Sequence, residues 1–196
     1  IDVHRDPDLL LNKKGFLSVG HDEYWSQEMR RNVERAQDEC VSLGFFSANS
    51  IYWRTRISAN SAGVPYRTMT VHKDCGIDPS TAKWRESCSG AVPARPEDAL
   101  MGVMYAEPFN IDNDMIVENT HHWVFQGTGL HDGDRLLGLV GYEADRFSGN
   151  APSTTVALAT SPTCRSACRA RVSSCGGPIS TPCDCSSPEG ISNMSV

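Results

Sequence analysis

The sequence lacks two features that would assign a broad class of protein at once. It has no uninterrupted apolar run of about 18 residues, the minimum for a helix that crosses a membrane. It also has no stripe of basic residues, and its formal net charge is −6, from 18 Lys and Arg against 24 Asp and Glu. These absences predict a protein with neither a membrane span nor a nucleic-acid partner.

Two motifs for catalysis or ligand binding are missing as well. No G-x-S-x-G or G-x-C-x-G elbow occurs, so the sequence does not support a serine or cysteine nucleophile at the end of a strand. The GTG segment at residues 127–129 lacks the lysine of a phosphate-binding loop, and it predicts a turn instead.

Residues 161–190 lack Leu, Phe, Tyr, Trp and Met altogether, yet they contain five of the eight cysteines. Without those side chains the segment cannot bury enough apolar surface to fold by itself. We therefore expect a globular domain over residues 1–160 and a tail over residues 161–196 that is disordered or foreign to the domain. Zinc binding and disulfide formation by the tail cysteines are less favoured, because the cysteine spacing is irregular against that of known zinc sites.

Short apolar runs alternate with a helical pattern in the globular region. Residues 15–20 (GFLSVG) and 43–48 (LGFFSA) indicate buried strands, and the apolar positions Met29, Val33 and Ala36 lie on one face of a helix predicted from residue 27 to about residue 40. This alternation predicts an α/β fold with a parallel sheet and right-handed crossovers. Further strands are predicted at residues 66–72, 100–105, 115–118, 122–126, 135–141 and 154–159.

Polar and aromatic motifs directly follow three of the predicted strands. They are residues 21–25 (HDEYW), 49–53 (NSIYW) and 142–145 (YEAD). In parallel α/β sheets, ligands bind beyond the carboxyl ends of the strands. If the three strands run parallel, the motifs meet at one edge of the sheet and predict a single site there.

The residue types in these motifs suit a hard metal ion. Glutamate and tyrosinate offer oxygen ligands, and His21 adds an imidazole nitrogen. A bound cation would polarise a carbonyl group and activate water for hydrolysis, while Glu23, Asp22 or Asp145 would transfer protons. The alternative is purely structural, since aromatic side chains after a strand also cap sheet edges and carboxylates also pair with arginines.

Four separated blocks carry a resemblance to a known family. They are SVGHDEYWS (residues 18–26), FFSANSIYWR (residues 45–54), HHWVFQGTGL (residues 121–130) and GLVGYEADR (residues 138–146). In order and rough spacing they resemble the signature blocks of the C-terminal domain of the N,N-dimethylformamidase large (beta) subunit, and the resemblance covers residues 1–160.

The resemblance implies a flavodoxin-like α/β sandwich of the class I glutamine-amidotransferase type, with a mostly parallel sheet. It also implies a hydrolase of small amide C–N bonds that uses one iron ion. Two tyrosines and one glutamate hold that iron in the family enzyme, and the matching positions here are Tyr24, Tyr52 and Glu143.

Three further residues take candidate roles from the same resemblance. His21 and Glu23 are candidates for acid–base or supporting roles, and Asn49 for orienting the loop or the substrate. The alternative function is a non-catalytic α/β module that binds a ligand or a partner through the same edge, because one fold hosts many functions.

The resemblance also predicts partners and extent. A small amide is the expected substrate, and assembly with other subunits is expected because the family enzyme works in an assembly. The family's domain extends beyond both ends of the matched region, so we expect a domain that is incomplete at both ends and a tail foreign to it from about Thr163. No leader is visible at Ile1, and a cytoplasmic location is favoured.

Overall fold

A computed structural model describes residues 1–88, 92–105, 113–140, 143–146, 155–159 and 191–195. Its helices are α1 (Asp2–Arg5), α2 (Gln27–Asp38) and α3 (Asp98–Met101), with short 3-10 turns at Pro79–Thr81 and Trp123–Phe125. Its strands are β1 (Gly15–Val19), β2 (Tyr24–Ser26), β3 (Ser42–Phe46), β4 (Trp53–Ser58), β5 (Thr68–Thr70), β6 (Met104–Tyr105), β7 (Asn113–Val117), β8 (Arg135–Val140), β9 (Asp145–Arg146), β10 (Thr155–Ala159) and β11 (Ile191–Ser195).

The described strands form small sheets that are only partly parallel. β1 pairs with β3 and β2 pairs with β4 in parallel, whereas β4–β5, β6–β9, β7–β8, β7–β11 and β10–β11 pair antiparallel. The mixed α/β class is confirmed. The flavodoxin-like sandwich stays a prediction, and β8 lies in an antiparallel sheet rather than beside β1 and β3 as expected.

Helix α2 forms where the apolar spacing predicts it. The Ser26 hydroxyl caps its first turn by accepting a hydrogen bond from the Met29 N–H at 3.1 Å. Val33 and Ala36 on its inner face are fully buried. The helix ends before Cys40, whose φ of 66° does not continue it. The parallel β1–β3 pair is therefore connected by a crossover that contains α2, as the strand–helix–strand pattern predicts.

The hydrophobic core lies between α2 and the inner face of β1 and β3. Trp25 on β2, Ile51 in the turn before β4 and Trp84 further along the chain are its largest fully buried apolar members. It is formed by Leu10, Trp25, Val33, Ala36, Val41, Leu43, Phe45, Ile51, Trp84, Leu100, Met101 and Val103. This packing fixes the carboxyl ends of β1 and β3, from which two of the three predicted site motifs leave.

Two predicted strands are wrong in the structure. The predicted strand at residues 122–126 is instead a 3-10 turn at Trp123–Phe125, with the His122 side chain accepting a hydrogen bond from the Val124 N–H at 3.4 Å. Residues 100–105 divide into the end of α3 and the short β6, since Gly102 adopts a left-handed φ of 81° that ends the helix.

A disulfide that we did not predict from the sequence closes a loop in the segment between β5 and α3. Cys75 and Cys88 are bonded, with a Cα–Cα distance of 5.3 Å and a sequence separation of 13.

Within the predicted tail, the backbone of β11 pairs with β10 and β7, and residues 161–190 lie outside the described residues. No helix of the described part is both long and apolar enough to cross a membrane.

Candidate functional site

Asn49 lies at the centre of the candidate site and joins two carboxylates. It follows β3 and is buried. Its Nδ2 donates to Glu23 Oε1 and, at 3.2 Å, to Glu143 Oε1. An amide nitrogen carries two hydrogens, so one side chain can serve both carboxylates. Asn49 thereby connects the motifs that follow β1, β3 and β8.

The turn between β3 and β4 is held in an unusual backbone conformation. Asn49 and Ile51 have φ values of 56° and 57°, in the left-handed region that a β-branched residue seldom adopts. Ile51 is fully buried, and its N–H donates to the Asp22 carbonyl at 2.9 Å. Packing and this hydrogen bond hold the strained turn, which aims the Asn49 amide at the carboxylates.

His21 and Glu143 form a close pair at the edge of the site. His21 Nδ1 lies 3.0 Å from Glu143 Oε2. The His21 side chain is 55% exposed and that of Glu143 only 13% exposed. An imidazole in this position can exchange protons with solvent while it contacts a sheltered carboxylate.

Asp145 is the most strongly perturbed acid in the described residues. Burial raises its pKa from the ordinary 3.8 to about 7. The hydrogen bond from the Asn49 N–H, at 2.8 Å, opposes this rise in pKa, as does the charge of Arg85, whereas the charges of Glu97 and Glu143 add to it. Asp145 can therefore hold or release a proton near neutral pH, as a general acid or base must.

Tyr24 lies on β2, where its hydroxyl meets a lysine. Lys73 Nζ donates to the Tyr24 hydroxyl oxygen at 2.8 Å. The same ammonium lies 5.1 Å from the centre of the Tyr24 ring and 4.9 Å from that of Trp53, the register partner of Tyr24 on β4. The lysine therefore holds both the hydroxyl and the ring of Tyr24 in place.

Tyr52 lies deeper than Tyr24, directly before β4. It is 5% exposed, and its ring packs edge-on against Tyr105 at 5.5 Å and Trp53 at 4.9 Å. The Arg85 guanidinium and the Lys83 ammonium lie 5.0 Å and 5.2 Å from its ring centre. The ring of Tyr52 is thus fixed by aromatic and cationic neighbours on several sides.

Direct contacts bring four of the six predicted site residues together. They are His21, Glu23, Asn49 and Glu143, from three separate parts of the chain. The contacts described above for Tyr24 and Tyr52 are with lysines, an arginine and aromatic rings, and their role as ligands stays a prediction. Sequence reasoning missed Lys73, Lys83 and Arg85, since single basic residues in an aperiodic segment carry no signal.

Two features of the cluster fit a bound cation. Asn49 Oδ1 and Ser50 Oγ are buried oxygens that have no hydrogen-bond partner among the residues that the structure describes. Three carboxylates, those of Glu23, Glu143 and Asp145, contact the same asparagine. Such an excess of oxygen donors and negative charge is what a hard metal ion requires.

The nearby carboxylates alone do not form a compact ligand set. In the part of the chain that the structure describes, one group of three His, Cys, Asp or Glu side chains has its ligand atoms within 4.8 Å of one another: Cys75, Glu86 and Cys88, whose two cysteines are disulfide-bonded. A metal ion at the Asn49 cluster would therefore need oxygen ligands of another kind, such as tyrosine.

One family of proteins matches this chain. The family is described as N,N-dimethylformamidase beta subunit-like, C-terminal, and its sequence model matches residues 1–196. No curated protein matches the chain.

Proposed function

The chain belongs to the N,N-dimethylformamidase beta subunit-like, C-terminal family, as its sequence blocks predict, and we propose that it hydrolyses the C–N bond of small amides with a bound iron ion. The observation that carries this proposal is the Asn49 cluster. There, Glu23 and Glu143 share one amide donor beside unpartnered buried oxygens. A site of this kind favours a positively charged occupant.

Tyr24, Tyr52 and Glu143 are the proposed ligands of that ion. When bound, iron would polarise the amide carbonyl and favour ionisation of a water molecule. The chain's own contribution is to orient the carboxylate of Glu143, which contacts Asn49 on one oxygen and His21 on the other. The hydrogen bond that Lys73 donates holds the Tyr24 hydroxyl oxygen in one position.

His21 and Glu23 are the proposed proton-transfer groups. Hydrolysis of an amide requires one proton to be taken from water and one to be given to the leaving amine. His21 is half-exposed and paired with Glu143, so it can return protons to solvent. Glu23 is fixed by Asn49, so its carboxylate has a defined position from which to accept a proton.

Elemental analysis of the purified protein tests the ion first. We expect near-stoichiometric iron in the wild type, with a visible tyrosinate-to-iron charge-transfer band, and loss of both in Tyr52→Phe. Tyr66→Phe is the matched control, because Tyr66 is exposed and contacts His4 and Arg5 away from the cluster. A well-folded wild type without metal would remove the iron site, and equal iron in both variants would remove Tyr52 from its proposed ligands.

A binding module is the second candidate, and an exposed apolar surface favours it. Leu17, Val19 and Phe46 are 64%, 74% and 52% exposed, and they lie on one face of the parallel β1–β3 pair. Parallel strands are ordinarily covered on both faces. The words beta subunit-like in the family's description suggest that another subunit covers this one. A folded wild type that binds no metal would make this second function the better account.

A further inference from the structure

The segment between β5 and α3 brings together two cysteines and a glutamate, none of which belongs to the Asn49 cluster. The Sγ atoms of Cys75 and Cys88 and a carboxylate oxygen of Glu86 lie within 4.8 Å of one another. The two cysteines form a disulfide. Reduction of this disulfide would therefore leave two thiols beside a carboxylate, which are three groups that bind metal ions.

The Glu86 carboxylate lies against a sulfur atom that has no hydrogen to offer it. Its Oε2 is 3.7 Å from Cys75 Sγ, and a disulfide sulfur cannot donate a hydrogen bond. A thiol in the reduced protein would be only a weak donor to this oxygen. A cation bound between the oxygen and the sulfur would attract both of them far more strongly, once the sulfur is a thiolate.

The distances fit a zinc ion in the reduced protein. Zinc lies about 2.3 Å from a thiolate sulfur and about 2.1 Å from a carboxylate oxygen, so tetrahedral coordination separates these two ligand atoms by about 3.6 Å. Cys75 Sγ and Glu86 Oε2 are already 3.7 Å apart. The two sulfurs must move apart when their bond is broken. Rotation about each Cα–Cβ bond allows this movement, because the two Cα atoms are 5.3 Å apart.

Backbone hydrogen bonds hold the three ligands in place independently of the disulfide. The Cys88 N–H donates to the Val92 carbonyl at 3.0 Å, and the Val92 N–H donates back at 3.2 Å. The Glu86 carbonyl accepts from the buried Arg54 at 3.2 Å. The third ligand lies in the turn at residues 74–78, which a 3.0 Å hydrogen bond between its end residues closes. These contacts keep the ligands close to one another after reduction.

The ligand types and their charges select zinc. Thiolates favour zinc over the hard cations that carboxylates alone would bind. Two thiolates and a carboxylate carry one negative charge more than zinc neutralises, and Lys83 Nζ lies 3.8 Å from Glu86 Oε1 to balance it. Among the described residues, no fourth His, Cys, Asp or Glu side chain belongs to the group. A water molecule therefore takes the fourth position, as in other zinc sites with three protein ligands.

We propose that the reduced protein binds one zinc ion through Cys75, Glu86 and Cys88. A cellular dithiol supplies the two electrons and two protons that convert the disulfide into two thiols, and it is itself oxidised to a disulfide. Zinc then displaces both thiol protons, which pass to solvent. Zinc thus closes the loop in place of the disulfide and holds the segment from which Arg85 contacts Tyr52. This site does not depend on the proposed iron.

Protection of Cys75 from alkylation tests the site in the wild type. Cys75 is partly exposed, so reagents can reach it. The full chain is reduced with a phosphine, desalted without oxygen and treated with iodoacetamide at increasing zinc concentrations. Mass spectrometry of the peptide that contains Cys75 gives the alkylation rate at this one cysteine, whatever the other cysteines bind. We expect zinc to suppress the alkylation of Cys75 and a chelator to restore it.

Substitutions of two neighbouring acids distinguish a ligand from a nearby charge. Glu86→Gln should raise the zinc concentration for half-protection by about tenfold or more, since loss of a group that merely supports a ligand already costs this much. Asp74→Asn is the matched control, because Asp74 is exposed, precedes Cys75 and lies outside the group of ligand atoms. The same change of charge there should leave half-protection nearly unchanged.

Cys88→Ser should lose the protection altogether, because one thiolate ligand is removed. The proposal is overturned if zinc leaves the alkylation of Cys75 unchanged in the reduced wild type, or if protection persists in Cys88→Ser. It is also overturned if Glu86→Gln and Asp74→Asn shift half-protection equally. The wild-type result and the comparison of the two acid variants stand even if Cys88→Ser does not fold, since the Glu86 side chain is 41% exposed and its substitution leaves the core intact.

Discussion

Removing Arg85 should destabilise the protein far more than removing its partner. Glu97 is fully buried, and Arg85 alone gives it three hydrogen bonds, from Nε to both carboxylate oxygens at 3.1 and 3.2 Å and from a terminal nitrogen to Oε1 at 2.7 Å. Arg85→Met leaves a buried carboxylate without its counter-charge. Breaking a buried pair in this way costs about 3–5 kcal/mol.

The partner substitution should cost less because the two ends of the pair differ in exposure. The Arg85 side chain is 20% exposed, against 0% for Glu97. In Glu97→Gln the guanidinium can still reach water, and it keeps its hydrogen bond to the Tyr105 carbonyl at 3.1 Å. We expect a loss of about 1–2 kcal/mol for Glu97→Gln, in the range of a weakened charged hydrogen bond. The double variant should recover part of the loss in Arg85→Met.

Urea denaturation at pH 7.5 measures these free energies of unfolding. Arg135→Met is the control, because Arg135 pairs with Asp114 at the surface and is 65% exposed, so its removal should cost at most about 1 kcal/mol. If Arg85→Met costs no more than Glu97→Gln, or no more than Arg135→Met, then the buried ion pair does not control the stability of this region and the reasoning fails.

Three smaller predictions follow from single contacts. The pKa of Asp145, about 7, exceeds its ordinary 3.8, so the native state binds this proton more tightly than the unfolded state does. The free energy of unfolding should therefore fall as pH rises from about 4 to 7, by at most about 4 kcal/mol. In urea denaturation of the metal-free protein, Asp145→Asn should lose this pH dependence. Ser26→Ala should cost about 1–2 kcal/mol in the same assay through loss of the α2 cap, whereas the exposed Ser42→Ala should change little. Reducing the Cys75–Cys88 disulfide should lower the midpoint of thermal unfolding, because the free energy of unfolding falls by about 3 kcal/mol when a loop of this length is opened. Cys88→Ser cannot form this bond, so a reductant should cause no such loss in that variant.

The sequence predicts the locally encoded elements well. The 3.6-residue spacing of Val33 and Ala36 marks the inner face of α2, and the apolar runs mark β1 and β3 to within two residues. Pairing between strands depends on residues far apart in the chain, so the antiparallel partner of β8 could not be read locally. The 3-10 turn at Trp123–Phe125 was missed because a short apolar run suits a strand as well as a turn, and the capping role of His122 cannot be recognised from that run.

The part of the candidate site that could be predicted from the sequence is the part that the order of strands and helices positions. The motifs after β1 and β3 meet because those strands are parallel neighbours, which the alternation of strand and helix already implies. Glu143 reaches the same place from an antiparallel sheet, so its convergence on Asn49 follows from the family's sequence blocks and not from the topological argument. Lys73 and Arg85 lie in the segment between β5 and α3, which has no helical or strand-like spacing of apolar residues. Nothing in the sequence links these two residues to Tyr24 or Tyr52.

Arg85 connects the stability of the fold to the candidate site, and this determines which variants can test function. Its guanidinium pairs with the buried Glu97, lies 5.0 Å from the centre of the Tyr52 ring and opposes the rise in the pKa of Asp145. Loss of iron or activity in Arg85→Met would therefore not identify a ligand, because the variant moves the ring, the charge and the fold together. Tyr52→Phe changes one oxygen and keeps the ring that Arg85 packs against. A loss of iron in that variant, with the free energy of unfolding of the metal-free protein unchanged, would therefore be specific evidence for ligation by Tyr52.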